Sequence, residues 1–278
     1  MGCVTSVNQD FHVFREFLEK ACGIVLGDNK QYLVASRLNR LLEKQGIKSL
    51  GELVMRIQAQ PLSGLRESVV DAMTTNETLW FRDVYPFDVL KNRLLPEFIK
   101  ANPGQRPRIW SAACSSGQEP YSLSMGIDEF ERSNLGQLRA ESQIIATDLS
   151  GGILTAAKSA EYDSLSIARG LSSERLVRYF DQTTPGRWTV KQPIRSRVEF
   201  RTINLLDSYS MLGKFDIVFC RNVLIYFSAD LKKDILTRIH ATLKPGGYLM
   251  LGASEALNGL PELYQMVQCS PGIVYKAR

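Results

Sequence analysis

Histidine is the scarcest useful residue in this 278-residue chain: only His12 and His240 are present. That leaves almost nothing from which to build a His-rich zinc site or a Ser-His-Asp triad. Cysteine is also sparse. Cys3, Cys22, Cys114, Cys220 and Cys269 are isolated and odd in number, so they make neither a paired zinc motif nor a disulfide scaffold, and a reducing compartment is expected. No apolar run approaches the ~20 residues of a membrane helix, and the N-terminus lacks the basic-then-apolar layout of a signal peptide. A soluble, cytoplasmic protein that is not inserted in a membrane is expected. Met1-Gly2-Cys3-Val4-Thr5-Ser6 matches a short acylation pattern, but six residues produce such a match readily by chance. Finally, the formal charge of +5 is spread along the chain. Without a dense basic tract, nucleic acid is not an expected partner.

What is present is enough apolar material, 44% of residues, for one sizeable core and a smaller unit. From Asp10 to about Ala72, Phe11, Phe14, Phe17, Leu18 and then Leu33, Val34, Leu38, Leu41, Leu42 recur at helical spacing. Gly23, Gly27, Gly46 and Pro61 break the pattern into short helices. From Arg108 onward, short β-rich runs alternate with helical stretches, which predicts an α/β domain with a parallel sheet and crossover helices. The predicted strands are Arg108–Ala113, Gln143–Thr147, Val198–Ile203, Phe215–Cys220 and Tyr248–Gly252, with Gly272–Lys276 as a final antiparallel strand. The division expected is a helical domain with its linker over 1–90 and a catalytic domain over 91–278. The irregular stretch around Pro185-Gly186 suggests a small β insertion at about 181–200.

Ile109-Trp110-Ser111-Ala112-Ala113-Cys114-Ser115-Ser116-Gly117-Gln118-Glu119-Pro120-Tyr121 reads as a buried strand, a loop of small residues, and a helix with proline in its first turn. Neither Gly-x-Gly-x-x-Gly nor the Gly-Lys-Ser/Thr of a phosphate loop is there, so no pyrophosphate is expected. Asp148 ends the next strand, where a carboxylate can take both hydroxyls of a ribose; an Asp-Leu-Ser sequence can equally cap the following helix. Glu119 is either an ordinary first-turn acid or the counter-charge of a cationic cofactor. Asn204 and Asn222, at two further strand ends, carry amides able to read an adenine edge or an amino-acid terminus, although Asn is also common in turns.

Together these segments resemble the chemotaxis receptor methyltransferases, the CheR family, from Phe17 to Lys276. The specific blocks are Met73-Thr74-Thr75-Asn76-Glu77-Thr78-Leu79-Trp80-Phe81-Arg82, the Ser111 to Tyr121 loop, and Phe215-Asp216-Ile217-Val218-Phe219-Cys220-Arg221-Asn222-Val223-Leu224-Ile225-Tyr226-Phe227. The resemblance implies an all-α N-terminal domain followed by a Rossmann-like S-adenosylmethionine-dependent domain with a small β insertion. It implies methyl esterification of receptor glutamates, with S-adenosylhomocysteine as product and no metal. By position it puts cofactor contacts at Asn76, Thr78, Arg82, Glu119, Asp148, Asn204, Leu205, Arg221 and Asn222, and Tyr226 near the methyl. Two departures are Gln118, where many relatives have a second Glu, and a segment over 181–197 that is short for docking a receptor's C-terminal peptide.

The chemistry is compatible with so few histidines. A glutamate with pKa near 4.3 is already an anionic nucleophile at neutral pH, so no general base is required. Arg82 is the candidate for holding that carboxylate, since a guanidinium fork matches it; the bland alternative is a salt bridge to Asp83. Tyr226 either orients the reacting groups or is a core aromatic. Lys30, Arg37, Arg40 and Lys44 share an arc of roughly 80° if 30–44 is one helix, a basic strip suited to docking an acidic receptor helix or simply a solvated face. A monomer acting on cytoplasmic receptor domains is expected. The rivals are a methyltransferase for nucleic acid or a small molecule, disfavoured by the missing Asp/Asn-Pro-Pro-aromatic element, and a non-catalytic module that binds the cofactor.

Overall fold

The computed structural model describes residues 2–138, 141–257 and 259–278, with side chains from Asn8 onward; the acylation-like start and Cys3 therefore lie outside the described side chains. Four helices build the N-terminal unit: α1 (Gly2–Cys22), α2 (Gln31–Gln45), α3 (Leu50–Ala59) and α4 (Leu65–Met73). Their boundaries follow from local chemistry. Gly46, at φ 62°, stops α2 in the left-handed conformation that glycine adopts without strain. Ser49 caps the start of α3, its hydroxyl accepting from Glu52 N, and the Glu52 carboxylate accepts from Lys48 N just ahead of the cap. Phe14, Leu18, Leu38 and Leu53 fill the core of this unit.

A helical stretch follows, α5 (Tyr85–Val89) and α6 (Leu95–Ala101), joined through a π-helical turn of wider girth at Leu90–Leu94. Pro96 offers no N–H to the preceding turn, which explains the local widening. Phe81, Phe87, Leu90 and Leu94 pack into the core beneath the sheet rather than with the N-terminal helices, so the end of the stretch expected as linker packs with the second unit.

The remaining elements are β1 (Arg108–Ala112), α7 (Gln118–Ser133), β2 (Gln143–Asp148), α8 (Gly151–Ser159), β3 (Glu161–Asp163), α9 (Ser164–Ala168), α10 (Ser173–Tyr179), β4 (Phe180–Thr184), β5 (Arg187–Val190), α11 (Gln192–Arg195), β6 (Val198–Thr202), β7 (Phe215–Cys220), α12 (Ala229–Thr242), β8 (Leu243–Leu251), β9 (Tyr264–Gln268) and β10 (Ile273–Ala277). The main sheet runs β6-β2-β1-β7-β8-β10-β9. Its β6, β2, β1, β7 and β8 are parallel, and β10 lies antiparallel to both β8 and β9. Strand order reverses between β1 and β7, and the crevice beyond their carboxyl ends is where this architecture takes ligands. Alternation sends Ile109 to one core and Trp110 to the other.

The predicted strands are found, with β8 longer than expected and β9 unforeseen. The insertion needs correcting. It is a three-stranded antiparallel sheet, β3-β5-β4, which begins at Glu161 and includes α9 and α10, whereas the Val198 run belongs to the main sheet. Tyr162 is the only buried residue of the three in β3, too short a segment for any period to show.

Candidate active site

The loop after β1 is held in an unusual conformation. Ala113, Ser115 and Gly117 have φ of 58°, 51° and 96°, so two non-glycine residues occupy the left-handed region, at an energetic cost. Neighbours enforce it. Cys114 N donates to Thr147 O (2.8 Å), Ser115 N to an Asp148 carboxylate oxygen (2.8 Å), the Ser115 hydroxyl to Asn76 O (3.0 Å), and the Tyr162 hydroxyl to Ser116 O (2.7 Å). A Cβ on Gly117 would sit 3.0 Å from that same hydroxyl and 3.1 Å from the Tyr121 ring, which is why glycine stands there. Burial pushes the Cys114 thiol well above its ordinary pKa, so it is no nucleophile.

Asp148 closes β2 with one oxygen on Ser115 N and the other on Ser150 N (3.0 Å). The cap of α8 is Ser150, whose hydroxyl accepts from Ile153 N. Capping is therefore done by the neighbour, and Asp148 is left to tie the β1 loop and line the cavity. Burial raises its pKa, with the backbone N–H groups of Ser150 and Ser115 pulling in the opposite direction.

Glu119 is neither solvent-facing nor unpaired. One oxygen accepts from the Ser111 hydroxyl (2.8 Å), the other from Arg221 (2.9 Å). The Arg221 side chain is 1% exposed and also donates to Arg82 O (2.8 Å) and Asp83 (2.7 Å). Arg221 thus takes the carboxylate that sequence reasoning offered to Arg82; the Arg82 guanidinium instead donates to Glu77 O (3.2 Å). Arg82 lies within a tight turn in which Phe81, Asp83 and Val84 all have positive φ.

Two neighbouring cavities open at this edge. The larger, about 270 Å³, is walled on one side by the N-terminal unit and on the other by Asp148, Asn204, Leu205 and Tyr226, with Asn76 beside them. The smaller, about 60 Å³, is lined by Thr78, Arg82, Glu119, Arg221, Asn222 and Tyr226. Thr75, Ala113, Val223 and Tyr226 belong to both. Every expected cofactor contact therefore lines one cavity or the other. Asn204 is also held by the protein itself: its amide nitrogen donates to Ala21 O (2.9 Å) and its oxygen accepts from Leu206 N (3.0 Å). It staples the helical unit to the sheet and keeps one N–H and one lone pair for a ligand.

The basic strip also changes. Lys30 ends a 3-10 turn before α2 rather than lying in the helix. Arg37 is turned inward, donating to Met73 O (2.6 Å), Thr74 O (3.1 Å) and the Thr75 hydroxyl (2.9 Å). Lys30 and Arg37 both line the larger cavity. Arg40 and Lys44 remain exposed, without an ion pair among the described residues. Sequence reasoning did not find Glu255, whose carboxylate gathers backbone N–H groups from two adjacent strand ends; a lone Glu in a loop gives no signal.

Comparison with known proteins decides the family. Residues 9–74 match the CheR methyltransferase all-alpha domain and residues 76–273 the CheR methyltransferase SAM binding domain. This chain belongs to the CheR methyltransferase family. It is 78% identical over 271 residues to "Chemotaxis protein methyltransferase Cher2" of Pseudomonas putida, covering 98% of each chain. It is 76% identical to "Chemotaxis protein methyltransferase 1" of Pseudomonas aeruginosa, covering 99% of this chain and 100% of the relative, and 52% identical to "Chemotaxis protein methyltransferase 1" of Vibrio cholerae over the full length of both. As a CheR-family member the chain is an S-adenosylmethionine-dependent methyltransferase. The cavities fit that cofactor: a buried carboxylate at a strand end suits a ribose, apolar walls suit an adenine, and a loop without lysine makes no provision for phosphate.

Proposed function

We propose that this CheR-family enzyme forms γ-methyl esters on glutamate side chains of the cytoplasmic domains of chemotaxis receptors, acting as a monomer in the cytoplasm. The observation that supports it most directly is the lining of the two cavities, which includes the Arg82 guanidinium, without an ion pair among the described residues, and no histidine. Such a site suits a substrate that arrives as an anion and needs no deprotonation, which describes a glutamate carboxylate.

When bound, S-adenosylmethionine supplies a methyl group on a cationic sulfonium. Arg82 orients the incoming carboxylate through its planar fork, and Tyr226, on the shared wall, presses the reacting groups together and excludes water. An anion meeting a cation loses charge on the way to the transition state, so a dry site lowers the barrier relative to water. Holding the partners in line supplies much of the rest, on the order of 7 to 11 kcal/mol. The exposed cations Arg40 and Lys44, with Lys30 at the cavity rim, steer the acidic receptor helix.

Incubation with methyl-labelled cofactor and a purified receptor fragment is expected to label the fragment with esters that base releases as methanol. Base-stable label, or label found only in nucleic acid or a small molecule, overturns the assignment.

A further inference from the structure

Strands β7 and β8 lie side by side, with Cys220 opposite Leu251. Just beyond them the chain turns away, and backbone N–H groups that the ladder no longer uses need other acceptors. Three of them converge on one side chain. Glu255 accepts from Asn222 N (2.7 Å) and Gly252 N (2.8 Å) through one carboxylate oxygen, and from Leu224 N (2.8 Å) through the other. Its own N–H closes the turn back to Gly252 O (2.9 Å). Gly252 is confined in the same place: a Cβ there would lie 2.7 Å from Glu255 and 2.8 Å from the Asn222 amide.

What this carboxylate fixes is the segment that faces the cofactor. Asn222 has φ 59°, a conformation a non-glycine residue keeps only when its surroundings impose it. Leu224–Tyr226 is a single 3-10 turn with no side-chain cap of its own, and Glu255 supplies the missing acceptor at its first N–H. Asn222 and Tyr226 line the cavity; Glu255 is absent from the lining of both and acts through them.

We infer that Glu255 is a positioning residue for methyl transfer, holding Asn222 and Tyr226 at the angle the cofactor requires. The inference rests on reading the cavity as the cofactor site. Only a carboxylate presents acceptors on both oxygens. Glutamine turns one of them into a donor facing N–H groups, and alanine leaves all three without a partner.

The test compares Glu255→Gln and Glu255→Ala with the wild-type chain by calorimetric affinity for S-adenosylhomocysteine, by thermal unfolding, and by kcat and KM for methyl transfer to a receptor fragment. Glu255→Gln, nearly isosteric, is expected to fold, melt a few degrees below wild type, bind several-fold more weakly and lose about tenfold in kcat even at saturating cofactor. Glu255→Ala is expected to lose more in both. A folded Glu255→Gln protein with affinity and kcat within twofold of wild type overturns the inference, as does a loss confined to thermal stability. If wild type itself transfers nothing to the fragment, the receptor-glutamate assignment fails, and the affinity comparison still decides the role of Glu255.

Discussion

The Tyr162 hydroxyl donates to the carbonyl oxygen of Ser116 at 2.7 Å, so a side chain from the inserted subdomain holds the loop that lines the two cavities. Burial keeps this phenol protonated far beyond its ordinary range, so the donor persists at any working pH. The ring is fixed edge-on against Trp80 at 4.8 Å, and Trp80 is in turn pinned through its indole N–H to Ser166 O. Tyr162→Phe removes only the hydrogen bond, worth about 0.5 to 1.5 kcal/mol. Calorimetry should therefore show cofactor affinity roughly 3- to 10-fold weaker, with the melting temperature little changed.

Asp148→Asn keeps the side-chain volume and one acceptor but loses the charge. If Asp148 takes the ribose hydroxyls, affinity should fall by about 10- to 100-fold, the value of charge-assisted hydrogen bonds. Because burial raises the pKa of this carboxyl, wild-type affinity should begin to fall on acidification at a higher pH than for a surface aspartate. Unchanged affinity in the variant returns Asp148 to a purely architectural role.

Arg82→Ala should depress kcat by roughly 100-fold, the scale expected when a reacting group loses its orientation. Stability should change little, since its guanidinium makes one hydrogen bond, to Glu77 O. Arg82→Lys should recover only part of the rate, because an ammonium cannot make the planar fork. Normal turnover in the alanine variant contradicts the role.

Charge reversal at Arg40 and Lys44 should raise KM for a receptor fragment by about 3- to 10-fold with cofactor affinity intact, and added salt should shrink the difference. Arg37→Ala should behave differently. It frees the carbonyls of Met73 and Thr74, so cofactor affinity and stability should drop together.

Glu129 offers a test in pH. Burial works against its ionisation, but hydrogen bonds from Arg175 and Lys91 outweigh it and hold the pKa below the ordinary value. A carboxyl depressed on folding stabilises the protein above its unfolded pKa, near 4.3, and that contribution disappears as pH falls through the folded value. Glu129→Gln should therefore lower the melting temperature by a few degrees at neutral pH, on the order of 1 kcal/mol. The gap from wild type should close below about pH 4; a gap that persists in acid contradicts the pairing.

The helical unit and the parallel sheet were legible because their periodicities are long and strong: Phe11 to Leu18 at helical spacing, and Phe215–Cys220 as a fully buried strand. Elements that depend on long-range partners were not. β3 is a strand only because β5 pairs with it, and β9 alternates weakly, with Met266 exposed. In the site, residue identities could be read from the motifs, whereas their pairings could not. Arg221 rather than Arg82 takes Asp83, and Arg37 faces the linker rather than solvent, because a charge on a helix wheel carries no information about which carbonyls lie beneath it.

The larger cavity has one wall from the helical unit, Cys22 to Leu26 with Arg37, and the other from the ends of the main sheet. Neither half encloses a ligand by itself. A truncated sheet domain should be a poor nucleoside binder, and a chimera that borrows its head from a distant relative should inherit a mismatched seam. Any strain placed on that head is then felt in the chamber it helps to wall.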